Sequence, residues 1–138
     1  MGLFKLGDFT LHSGSKSYWK IDCDALADED WATLARMVYE SVGKFRKVVG
    51  IPQGGLKLAK ALKSYRFLNP QYPTLIVDDV LTTGNSMEKM KKSLSGDCIG
   101  AVVFARGKCP SWITPLLSVA SGKVELKGGL NEFTNINR

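Results

Sequence analysis

The sequence is poor in the residues that build staples and metal cages: it has three cysteines, Cys23, Cys98 and Cys109, and one histidine, His12. An odd number of cysteines with no Cys-x-x-Cys pair indicates neither a disulfide framework nor a zinc site, and the expected setting is reducing and cytoplasmic. No apolar run approaches the ~20 residues that a membrane-spanning helix requires. The opening Met1-Gly2-Leu3-Phe4-Lys5-Leu6 lacks a secretory apolar core, and Leu6 spoils a myristoylation signal, so no membrane partner is expected. Long runs of like charge, internal repeats and low-complexity tracts are missing too. The basic residues, 19 against 13 acidic for a net charge of +6, are scattered and not interleaved with aromatics. That pattern favours a small anionic ligand over specific nucleic-acid binding. At 138 residues and 44% hydrophobic, the chain fits one domain over residues 1–138.

What is present centres on Thr74-Leu75-Ile76-Val77-Asp78-Asp79-Val80-Leu81-Thr82-Thr83-Gly84-Asn85-Ser86. An apolar run without alternation suits a strand buried on both faces, as in parallel sheets. The two aspartates would emerge at its carboxyl end, where open α/β sheets place ligands. Met87, Met90 and Leu94 then recur at helical spacing. A helix beginning here offers unpaired N–H groups and the positive end of its dipole, Thr82, Thr83 and Ser86 add hydroxyls, and Gly84 admits close backbone approach, which together make a phosphate cup. Two carboxylates beside a bare anion would repel it. A ribose resolves this, its hydroxyls donating to Asp78 and Asp79 while its 5′-phosphate occupies the cup, and a divalent metal could share the acidic pair. A nucleotide-hydrolase reading fails because Gly50 to Gly55 has the glycine spacing of a P-loop but Leu56 stands where lysine is required.

The string Leu75 to Ser86 resembles the phosphoribosyl-diphosphate (PRPP) motif of type I phosphoribosyltransferases. A second stretch, Phe9-Thr10-Leu11-His12-Ser13-Gly14-Ser15-Lys16-Ser17, resembles the base-pocket segment with which orotate phosphoribosyltransferases begin, His12 standing where that family has lysine. The resemblance implies an α/β fold, a mostly parallel twisted sheet flanked by helices with a small N-terminal hood. It implies transfer from PRPP to a nucleobase, orotate favoured, with Mg2+ as cofactor and a homodimer as assembly. Asp78 and Asp79 would stabilise the ribose cation and share the metal, Thr82, Thr83, Gly84, Asn85 and Ser86 would hold the 5′-phosphate, Pro52, Gln53, Gly54 and Gly55 would receive the diphosphate, and His12 and Arg106 would face the base. A non-catalytic PRPP or nucleotide sensor on the same fold is the alternative.

The remaining segments supply the scaffold. Phe9 to Asp22 reads as two short strands about a turn. Asp28-Glu29-Asp30 followed by Trp31, Leu34, Ala35, Val38 and Val42, with Gly43 behind, reads as a helix with a compensated dipole and Trp31 in the core. Val48 to Ile51 is a short buried strand. Pro52-Gln53-Gly54-Gly55 is a loop of the kind that presents N–H groups to an anion, and Leu58, Ala59, Leu62 and Tyr65 follow at helical spacing. Cys98 to Ala105 is another continuous apolar strand, ending at Arg106, whose fork suits a carboxylate or a base carbonyl. Trp112 to Val119 reads as a short packed element, Lys123 to Lys127 as an edge strand and residues 131–138 as a loose tail.

The chain departs from the family in two places. No lysine lies within Pro52 to Gly55, the nearest being Lys57, and residues 56–73 are consumed by a helix and a turn. They leave no room for the long basic loop that closes over the family's site and excludes water. Lys57, Lys60, Lys63 and Arg66 could substitute for that loop or form a solvated helix face.

Overall fold

The computed structural model describes residues 2–11 and 14–119. Strands β1 (Phe4–Thr10) and β2 (Lys16–Ile21) pair as an antiparallel hairpin, the expected hood. Helix α1 (Asp28–Val42) follows, then β3 (Lys47–Gly50), α2 (Leu56–Leu62), β4 (Thr74–Leu81), α3 (Asn85–Ser93), β5 (Cys98–Arg106) and β6 (Ile113–Val119). The last four strands form one sheet in the order β3-β4-β5-β6, every neighbouring pair parallel. The fold is the expected α/β arrangement. The predicted edge strand Lys123 to Lys127, the tail 131–138 and His12 lie outside the described residues.

Continuous apolar strands mean that both sheet faces are covered, and two cores result. Leu75 and Val77 of β4 with Ala101 and Val103 of β5 pack against Trp31, Ala35 and Val38 of α1 and Leu58, Ala59 and Leu62 of α2. Ile76 and Val102, which point the other way, pack with Met87 of α3 and Ile113. The alternation breaks at the acidic pair, since Val80 packs against the first core and Leu81 lies in the second. A strict period of two would have reversed them. Helix α1 has the acidic first turn read from the sequence, and the Asp30 carboxylate accepts the Ala27 N–H at 2.8 Å. It ends at Gly43, whose φ of 80° lies in the left-handed region.

The connections are unusual. The β3-α2-β4 and β4-α3-β5 crossovers advance the same way along the sheet, yet α2 and α3 lie on opposite faces. They therefore have opposite hands, whereas parallel crossovers are nearly always right-handed. Residues 107–112 then carry the chain from the end of β5 back to the start of parallel β6 without a helix, where such connections usually need a dozen residues or more. Trp112 on this strap takes a helix's place: its ring packs against the α3 core, its Nε1–H donates to Glu88 at 2.7 Å, and Lys91 Nζ stands 4.6 Å from the ring centroid. Gly100 makes room, because a Cβ there would lie 2.8 Å from the Trp112 ring and 3.0 Å from Met87.

Candidate active site

The carboxyl ends of the parallel strands open beneath the hood into one cleft of about 560 Å³. Its floor is the end of β4. Asp78 and Asp79 belong to the strand itself, which runs on to Leu81 and pairs with β5 as far as Ala105. The sequence had placed them at its end. Side chains engage the backbone here: the Asp79 N–H donates to Asp78 Oδ1 at 2.8 Å and the Val80 N–H to Asp79 Oδ1 at 2.7 Å. Burial, and next the hydrogen bond and charge of Asp79, push the Asp78 carboxyl up to about 8. The acidic pair therefore keeps a proton to a higher pH than an ordinary carboxylate does.

Thr82, Thr83, Gly84, Asn85 and Ser86 line the adjoining wall and lead into α3. Gly84 precedes the helix with φ 84°, a conformation that costs other residues energy, and the Asn85 N–H reaches Thr83 Oγ1 at 3.4 Å. The helix carries Lys91 and Lys92 in its last turn, so its dipole is compensated there while its N-terminus faces the cleft.

The turn between β3 and α2 closes the cleft on the other side. A Cβ on Gly54 would lie 2.5 Å from both Asp79 carboxylate oxygens, so only glycine fits this approach. Gly55 is buried, and its N–H donates to Ile51 O at 2.8 Å. Pro52 and Gly54 line the cleft, and Gln53 and Gly55 do not. Lys57, Lys60, Lys63 and Arg66 are exposed and are not among the lining residues either.

Arg106, at the end of β5, reaches the cleft from beneath the hood and is only 9% exposed. It donates to Ser17 Oγ at 2.9 Å and to Trp19 O at 3.3 Å, and its guanidinium carbon lies 3.5 Å from the Trp19 ring centroid. Burial lowers its pKa. The hood also contributes Phe9, Thr10, Leu11, Lys20, Asp22 and Asp24 to the lining, and Lys20 Nζ stands 4.8 Å from the Phe9 ring centroid. Lys20 and Lys89 are cleft cations that motif reading missed. The one signal for Lys20 was its place in an alternating strand, since Lys20 and Asp22 share a parity opposite to buried Ile21. Cys23 also lines the cleft, but burial, aided by Asp79, pushes its thiol up to about 12, which leaves it unreactive.

Among the described residues no group of three or more His, Cys, Asp or Glu side chains could cage a metal. The acidic pair suits a hard cation that keeps most of its ligands as water or phosphate oxygen.

No family model matches the chain. It is 31% identical over 140 residues to the orotate phosphoribosyltransferase of Pyrobaculum calidifontis, an alignment covering 80% of this chain and 73% of the relative. The aligned stretch exceeds this chain's contribution to it, so the relative has residues where this chain has none. Among solved structures, orotate phosphoribosyltransferase from Aeropyrum pernix superposes with a TM-score of 0.66 at 21% identity, covering 85% of this chain and 88% of that one. The Mycobacterium tuberculosis enzyme in complex with PRPP gives 0.57 at 20% identity, covering 80% and 86%. With this fold and a relative of that identity and coverage, the chain belongs to the orotate phosphoribosyltransferase family, within the type I phosphoribosyltransferases.

Proposed function

We propose that the protein transfers the 5-phosphoribosyl group of PRPP to a nucleobase, with orotate the favoured acceptor and diphosphate the leaving group. The observation that carries this reading is the convergence in one cleft of a paired-carboxylate floor, a helix N-terminus with hydroxyls, a glycine pressed against Asp79, and a buried arginine. The names of the relatives point to the same chemistry, and a structural neighbour holds PRPP.

In this reading the 5′-phosphate sits on Thr82, Thr83, Gly84, Asn85 and Ser86, whose N–H and hydroxyl groups hold it without a formal positive charge. The ribose hydroxyls donate to Asp78 and Asp79. The diphosphate lies at the turn from Pro52 to Gly55, against Pro52 and Gly54, which line the cleft, and the base lies toward Arg106; a base-side role for His12 rests on the resemblance alone. A ring nitrogen of the base forms a bond to the anomeric carbon as the bond from that carbon to diphosphate breaks; the electron pair of the broken bond leaves on the diphosphate oxygen, and the nitrogen's proton passes to water. Positive charge builds on the ribose, where the carboxylates stabilise it. The anchored phosphate contributes orientation. Asp78 and Asp79 would hold Mg2+, which would supply charge neutralisation for the leaving group. From the resemblance, the same reading takes residues 1–138 as one domain acting as a cytoplasmic homodimer.

The experiment is diphosphate release from PRPP and Mg2+ with orotate, uracil and purine bases offered separately. Release with orotate, and less with the others, is expected. PRPP binding with no release for any base would favour a sensor.

A further inference from the structure

Arg106 is a buried cation with an unusual set of partners. Among the described residues no carboxylate pairs with it, so nothing neutralises a charge that burial makes costly. Among the described residues the hydrogen bonds of its side chain go to β2, 87 and 89 residues earlier in the chain. One terminal nitrogen donates to Trp19 O, the other to Ser17 Oγ, and the flat face rests on the Trp19 indole. Ser17 is fixed in its turn: its hydroxyl donates to Trp19 O at 2.6 Å and accepts the Trp19 N–H at 3.3 Å. The hairpin register slips beside these residues, where Leu6 faces Trp19 but Phe9 faces Ser17. Such bulges re-aim side chains near sites. A guanidinium has five N–H donors. Two are spent on the hood, and the remainder belong to a side chain that lines the cleft.

We propose that Ser17 and Trp19 are positioning residues that lock the Arg106 fork toward the base end of the cleft, so that affinity for an acceptor bearing a carboxylate or carbonyl pair is set by the hood. The inference rests on the phosphoribosyltransferase reading for its ligand, but the clamp itself is a property of the free protein. Aromatic stacking and two hydrogen bonds remove the rotamer freedom that an arginine otherwise loses on binding. The base side is therefore pre-organised, and its disruption weakens base binding while the PRPP end is unaffected.

The test is steady-state kinetics of the full chain with orotate and PRPP for Ser17→Ala, Trp19→Leu and the conservative Ser17→Thr and Trp19→Phe. Ser17→Ala and Trp19→Leu are expected to raise the orotate KM by about tenfold or more, the size of a lost charge-assisted contact, with the PRPP KM unchanged. Trp19→Phe and Ser17→Thr, which keep the ring and the hydroxyl, should recover most of the loss. An unmoved orotate KM, or equal shifts in both KM values, would overturn the proposal. If no base is turned over by the wild type, the phosphoribosyltransferase reading fails by itself. The clamp is then judged by a double-mutant cycle of Trp19→Leu with Arg106→Met in thermal denaturation. Coupling between the two supports it, and additive Tm losses overturn it.

Discussion

Burial in a partly dry floor, and next the neighbouring carboxylate of Asp79, raise the pKa of Asp78. The folded pKa, about 8, lies above the ordinary value of 3.8. The folded state therefore binds the extra proton between these limits, and the stability this confers is complete below the lower value and lost as pH rises through the upper one. Asp78→Asn removes the titration. In thermal denaturation from pH 4 to pH 9 (about the span of those two values), the wild type should lose Tm relative to Asp78→Asn as pH rises, and parallel curves would contradict the shift. Gly54 makes a second prediction at this scale. Asp79 is tied to the Val80 N–H and cannot retreat freely from an added methyl group. Gly54→Ala should therefore weaken PRPP binding by about tenfold or more, the cost of displacing a hydrogen-bonded carboxylate, and lower Tm as well. Calorimetry on the two proteins checks this, and equal affinities would separate the turn from the ligand.

Among the elements, the strand-loop-helix unit from β4 to α3 was legible in the sequence because everything that specifies it is local: aliphatic residues for burial, acids at the sheet edge, a glycine before the helix and methionines at helical spacing. The acidic pair lies two residues further inside the strand than the apolar run suggested, since pairing with β5 continues through Leu81. The hood was legible from the Phe9 to Ser17 stretch, three of whose residues, Phe9, Thr10 and Leu11, line the cleft, but the parts of Trp19 and Lys20 were not. Trp19 and Lys20 acquire roles only from how the hairpin lies over β5, and no local pattern encodes a contact across 87 residues. The strap from β5 to β6 was equally hidden, because sequence shows a tryptophan but not what it covers. There Trp112→Ala should destabilise by roughly 2–4 kcal/mol, below the full value for a buried aromatic because the ring is only half-buried. Gly100→Ala should also destabilise, since its methyl group meets that ring. Urea denaturation measures both, and a neutral Trp112→Ala would mean the strap does not hold the α3 face.

Over the whole molecule, the active pole and the charge distribution are separate matters. The lysines of α2 that looked like substitutes for a basic loop lie exposed, outside the cleft lining, while the cleft's cations are Lys20, Lys89 and Arg106. The aligned relative has residues where this chain has none, and this chain joins its parallel strands through two crossovers of opposite hand and a helix-free strap. The proposed grip on a sugar phosphate is tested directly by titration calorimetry of PRPP with Mg2+ against the wild type and the Asp78→Asn, Asp79→Asn double variant. The wild type should bind below about 1 mM, near −4 kcal/mol or stronger, and the folded double variant should show no measurable heat. Equal affinities in the two proteins, or no binding of PRPP by the folded wild type at millimolar concentration, would contradict the assignment.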